Sequence, residues 1–101
     1  MEKFYSKVRT LTGEIKPLER TGRVIETHDN LFGIYKNKYN DYDIIDLNTG
    51  LSVKYPNYYK LKDIKANIKT YDETLNTMKE SPTYKHLCDE WIDLLNKNKK
   101  S

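Results

Sequence analysis

Cysteine is almost missing from this sequence: Cys88 stands alone in 101 residues. No internal disulfide can form, so the fold must rest on burial and hydrogen bonding. Long apolar runs are missing as well. No stretch is apolar enough for a signal peptide or a membrane span, and Met1 to Arg9 alternates charged with apolar residues. The expectation is a chain outside the membrane, in a reducing compartment, most simply the cytoplasm.

Glycine is scarce, and its four occurrences at positions 13, 22, 33 and 50 are scattered. A phosphate-cradling loop needs several glycines close together, so none is expected. Metal ligands are few. His86 and Cys88 are two residues apart on a helical stretch and point in different directions, and His28 lies far off in sequence, so no metal site is expected. Cys88 falls on an apolar helical face, where a thiol is inert, and no serine sits in a strand-to-helix elbow. Asp41, Asp43 and Asp46 lack the glycine and distal glutamate of a calcium loop and read as a solvated hairpin. Together these absences lead to the expectation of a non-enzymatic protein without a cofactor.

What is present is charge and tyrosine. Charged residues make up 33% of the chain against 37% hydrophobic, which implies a thin core, while nine tyrosines suit half-exposed sheet faces and interfaces. Lysine (15) and asparagine (9) are abundant, arginine (3) and alanine (1) rare. The net charge of +3 is modest, but its distribution is segmented. Residues 52–70 carry five lysines against one acid, residues 71–93 carry six acids against two lysines, and the tail adds Lys97, Lys99 and Lys100.

The apolar pattern changes period along the chain. Residues 3–11 alternate as a strand; 14–22, with Pro17 and Gly22, read as a connection; 23–28 and 31–36 are short strands. Gly33 within the last of these marks a bulge or a close approach. A polar turn at 37–41 leads to a hairpin in which Tyr42–Leu47 and Leu51–Tyr55 flank Asn48-Thr49-Gly50. From Leu61 the spacing becomes helical, with Leu61, Ile64, Ile68, Tyr71, Leu75 and Met78 in one stripe. A strand over 63–69, followed by a helix capped by Thr70 and Glu73, competes with this single helix. Ser81 and Pro82 then open a last helix whose inner face holds Tyr84, Leu87, Cys88, Trp91, Leu94 and Leu95. Strands before helices predict one α+β domain over 1–96: an antiparallel, meander-like sheet of four to five strands, followed by two C-terminal helices packed on one face. Residues 97–101 read as a basic, frayed tail.

The sharpest functional signal is the lysine and tyrosine stretch. Lys54, Lys60, Lys62, Lys65 and Lys69, interleaved with Tyr58 and Tyr59, combine phosphate-neutralising cations with rings that can stack on bases. The expectation is a small binding protein that contacts DNA or RNA. Its size and Lys/Asn/Tyr bias fit an accessory factor or regulator of a mobile genetic element. A helix-turn-helix is disfavoured, because acids follow Lys85 where a recognition helix needs basic and amide residues. The alternative is a protein-protein inhibitor or assembly factor that offers Asp72, Glu73, Asp89, Glu90 and Asp93 to a basic protein partner. An exposed strand edge at 3–11 could also pair across a homodimer.

Overall fold

A computed structural model of the chain describes residues 1–53 and 60–100. Four strands, β1 (Glu2–Arg9), β2 (Ile15–Glu26), β3 (Leu31–Lys36) and β4 (Tyr42–Asp46), form one antiparallel sheet in sequence order. Three helical segments follow: α1 (Leu61–Ala66), α2 (Ile68–Lys79) and α3 (Pro82–Lys100). The fold is thus α+β, a meander capped by C-terminal helices. Of the expected fifth strand the described residues show one bridge, Ser52 to Ile45, with the Asp46 and Val53 amides donating to the Leu51 and Ile44 carbonyls. Lys54 and Tyr55, the end of the expected hairpin, lie outside the described residues. No helix among the described residues is long and apolar enough to cross a membrane.

Residues 14–22 are not a connection. They are the first half of the 12-residue β2 and pair with β1, from Arg9 opposite Ile15 to Glu2 opposite Gly22. Pro17 is tolerated because of its register. Lys7, its partner across the pair, sends its amide away from β2 to the Gly50 carbonyl at 2.7 Å. The pair is therefore a non-hydrogen-bonded one, and the N–H that proline lacks would face the outer edge of β2, where no strand pairs among the described residues. Gly22 is required by a close approach. The second half of β2 pairs with β3, Arg23 opposite Ile34, and a side-chain carbon at position 22 would collide with the Ile34 carbonyl. At that point one strand changes partners, and the β1–β2 hairpin curls over the sheet.

Curling lets both faces of β3 and β4 be buried. On one face Phe32, Ile34, Ile44 and Val53 pack against Ile64, Tyr71 and Leu75 of the helices. On the other, Phe4 lies on Gly33 and packs with Tyr35 and Ile45. Each buried aliphatic or aromatic side chain contributes on the order of 2 kcal/mol, so a sequence with modest apolar content still builds a core by using both sheet faces.

The helical stripe from Leu61 to Met78 faces inward as its spacing predicts, and the strand alternative over 63–69 is overturned. The helix is nevertheless broken at Asn67 (φ −113°, ψ 20°), where the Asn67 side-chain amide donates to the Asp63 carbonyl at 2.8 Å. Asparagine competes in this way for backbone acceptors and disfavours helix interiors. Ser81 caps α3 with its hydroxyl, 3.3 Å from the Thr83 amide. The helix does not fade at Asn96 but runs to Lys100, with lysines at the end where the macrodipole favours cations.

A knot of polar and aromatic groups ties α3 to the sheet. Asp46 is 1% exposed, not the solvated hairpin residue its spacing suggests. Its carboxylate accepts from the Tyr84 hydroxyl (2.6 Å), the Thr49 hydroxyl (3.0 Å) and the Asn48 amide (3.1 Å). Beside it Gly50 adopts φ +73°, and a side-chain carbon there would stand 2.7 Å from the ring of Trp91, which is itself 2% exposed. Gly50→Ala combines left-handed strain with a clash against a packed indole. It is expected to cost at least about 2 kcal/mol, read as a lowered urea midpoint with an unchanged slope; a midpoint equal to that of the parent chain would refute this account of the knot.

Candidate nucleic-acid interface

The inward stripe of α1 and α2 dictates where their lysines go. With Leu61, Ile64, Ile68 and Tyr71 turned to the core, Lys60, Lys62, Lys65 and Lys69 are all exposed. None of the four forms an ion pair among the described residues; the pair that does form, Lys3 with Glu19 at 3.4 Å, lies on the β1–β2 hairpin. Four ammonium groups within ten residues thus stand without carboxylate neutralisation. Lys54, Tyr58 and Tyr59, the rest of the expected surface, lie outside the described residues.

The β3–β4 turn adds residues that read in the sequence as no more than a polar turn. Asn37 builds this turn. Its Oδ1 accepts from the amides of Tyr39 (2.9 Å) and Asp41 (3.1 Å), and its Nδ2 donates to Asp43 at 3.1 Å. Asn40 takes the left-handed conformation at φ 69°, which asparagine tolerates. The consequence is a held turn with Tyr39 at its tip, 74% exposed, and the Lys38 ammonium 5.2 Å from the ring centre. Tyr39, Lys36, Lys60, Leu61, Asp41 and Tyr42 line a shallow cavity of about 520 Å³, which also reaches Asn40. The cavity joins Lys60 to a second group of cations and to an exposed aromatic ring. The signal in the sequence was Lys-Asn-Lys-Tyr inside a turn, legible only once the turn is known to stand beside residue 60.

Arginines contribute little to this region. Arg20 is committed inside the β1–β2 curl: its guanidinium lies 4.4 Å from the Tyr35 ring centre, and its Nε donates to the Ser6 hydroxyl at 2.9 Å. Arg9 lines a different cavity, about 310 Å³, between β1 and α3, with Lys7, Val8, Ile15, Leu51, Leu87 and Glu90.

The acidic alternative loses one member. Asp72 accepts from the Thr27 hydroxyl at 2.6 Å and from Asn30 Nδ2 at 2.7 Å, fixing the β2–β3 turn to α2. Asn76 and Lys79 extend this tie, donating to the Asp29 carboxylate at 3.3 Å and the Asp29 carbonyl at 2.7 Å. Glu73, Asp89, Glu90 and Asp93 remain exposed. Among the described residues no group of three or more His, Cys, Asp or Glu side chains could hold a metal ion. Burial pushes the Cys88 thiol above its ordinary value, with the Asp46 and Asp89 carboxylates adding to the effect and Tyr84 and Lys79 opposing it, so at neutral pH it is not an activated nucleophile.

Models of known protein families, curated proteins and solved structures were each compared with the chain, and none matches.

Two predictions follow from these ties. Asp72→Ala leaves two donors without their charged acceptor and is expected to cost about 2 kcal/mol, whereas Asp89→Ala should stay within about 0.5 kcal/mol of the parent; equal urea midpoints for the two variants would show that Asp72 is not a structural tie. The second concerns alkaline pH. Burial, reinforced by the Asp43 hydrogen bond and charge, pushes Tyr35 up to about 12, and burial with the Asp46 hydrogen bond raises Tyr84 further still. The folded state holds these protons more tightly than the unfolded chain, whose tyrosines titrate near 10. Their contribution is therefore complete below about pH 10 and is lost as pH rises through the folded values. Melting temperature should fall steeply above about pH 10, and Tyr35→Phe should flatten the fall; a variant curve parallel to the parent's would contradict the assignment.

Proposed function

We propose that this protein binds nucleic acid, DNA or RNA, through its phosphates, with Lys60, Lys62, Lys65 and Lys69 as the principal contacts. The observation that carries this reading is the set of four exposed ammonium groups that form no ion pair among the described residues. Cations so placed release condensed counterions when they meet a phosphate backbone, which is the main source of affinity in sequence-independent binding. Lys36 at the end of β3 and Lys38 on the β3–β4 turn enlarge the same field. Recognition of base edges is not part of the proposal. The residue suited to it is arginine, and none lines the cavity beside Lys60 among the described residues: Arg20 is held on Tyr35 and Arg9 lines the cavity under α3.

Contact with about four phosphates predicts that log K falls with log salt concentration at a slope of about −3 to −4. Fluorescence anisotropy of a labelled oligonucleotide, titrated between about 20 and about 200 mM salt, measures it. Reversing three charges, Lys62→Glu with Lys65→Glu and Lys69→Glu, should weaken binding at low salt by more than about tenfold and make the slope shallower by about 2 to 3. Absence of binding at tens of micromolar protein in low salt, or a triple variant that binds as the parent does, would overturn the proposal.

A further inference from the structure

We infer that Tyr39 is a stacking platform for one unpaired base, so that the ligand of the lysine face is single-stranded. The inference rests on the reading of the lysines given above and adds to it the form of nucleic acid and the residue that selects it. Three observations converge on Tyr39.

The ring is 74% exposed at the tip of a turn, where burial in this chain gives it nothing. The backbone beneath it is fixed, because Asn37 Oδ1 accepts from both the Tyr39 and Asp41 amides. An aromatic held in this way loses little further freedom on meeting a ligand. Cations surround it: Lys38 is 5.2 Å from the ring centre, and Lys36 and Lys60 line the same cavity of about 520 Å³.

This arrangement separates two tasks. Lys36, Lys38 and Lys60 meet the phosphates on either side of one nucleotide, while the phenol ring offers its face to the base. Lys62, Lys65 and Lys69 extend the cationic surface from Lys60 along α1 and into α2. Asp41 is the one carboxylate residue of the cavity lining, and the exocyclic amines of bases are the part of a nucleotide that suits it. A duplex cannot use such a platform. Its bases are stacked on each other and present only their edges, so a protruding ring finds no face to cover. Stacking is also indifferent to sequence, in keeping with a cavity lined by lysines and no arginine among the described residues.

The test uses the full chain and four fluorescent probes of equal length: oligothymidylate, oligouridylate, a mixed-sequence duplex, and a strand of abasic deoxyribose phosphates. Both single strands should bind more tightly than the duplex. Tyr39→Ala should weaken oligothymidylate binding about tenfold, the loss expected for one stacked base. Tyr39→Phe should bind as the parent does, and the abasic strand should not distinguish Tyr39→Ala from the parent. Tyr39 is exposed, so circular dichroism should show all variants folded alike. Equal affinity for duplex and single strand, or a Tyr39→Ala variant with undiminished affinity for oligothymidylate, overturns the inference. If the triple lysine variant still loses binding in that case, the phosphate-binding reading survives on its own. Failure of every probe to bind removes both.

Discussion

The fold depends on one close approach, that of Gly22 to the Ile34 carbonyl. There β2 stops being the partner of β1 and becomes the partner of β3. Any side chain at position 22 would force the two backbones apart, and the hairpin that carries Phe4 would no longer lie across Gly33. With the approach in place, a four-stranded meander covers one of its own faces and leaves the other to the helices. This is how a chain with one third charged residues hides Phe4, Phe32, Ile34, Ile44 and Ile45 together.

The closing of the structure is local as well. The loop from Asp46 to Leu51 gathers a buried carboxylate, a left-handed glycine and the Trp91 ring into one contact, and the Gly50 carbonyl also receives the Lys7 amide. First strand, fourth strand and last helix therefore meet at a single loop. The polar groups there are committed to each other, and the carboxylates of Asp43 and Asp72 are likewise spent on Tyr35 and on the β2–β3 turn. The lysines of α1 and α2 are not spent. The same packing that turns Ile64, Tyr71 and Leu75 inward leaves them in solvent without an ion pair among the described residues, and the cavity at the β3–β4 turn places Tyr39 beside Lys60.

Much of the architecture could be read from the order of residues, because it rests on periodicity. The stripe from Leu61 to Met78, which outweighs the shorter alternation within it, the Ser81-Pro82 start of α3 and the alternation in Phe4 to Val8 are local signals. What escaped depends on partners distant in sequence. Pro17 and Gly22 look like breakers in isolation; only the register against β1 and the approach of β3 make them compatible with a strand. Asp46 looks solvated until Tyr84, 38 residues away, is known to donate to it. The break at Asn67 lies inside an unbroken apolar stripe, where the Asn67 side-chain amide shares the Asp63 carbonyl with the backbone. For the site, Lys60, Lys62, Lys65 and Lys69 were visible as a run of like charge, whereas Lys36, Lys38 and Tyr39 join them only through the turn that Asn37 builds.

The account stands or falls on where a polyanion touches this fold. Backbone amide chemical shifts of the isotope-labelled protein, followed as a short oligothymidylate is added in low salt, measure that directly. The account predicts shifts confined to Lys36–Asp41 and Lys60–Lys69, with Lys7, Arg9 and the acidic side of α3 unmoved. Shifts centred on Leu87–Asp93, or spread evenly over the lysines of the whole surface, would contradict it.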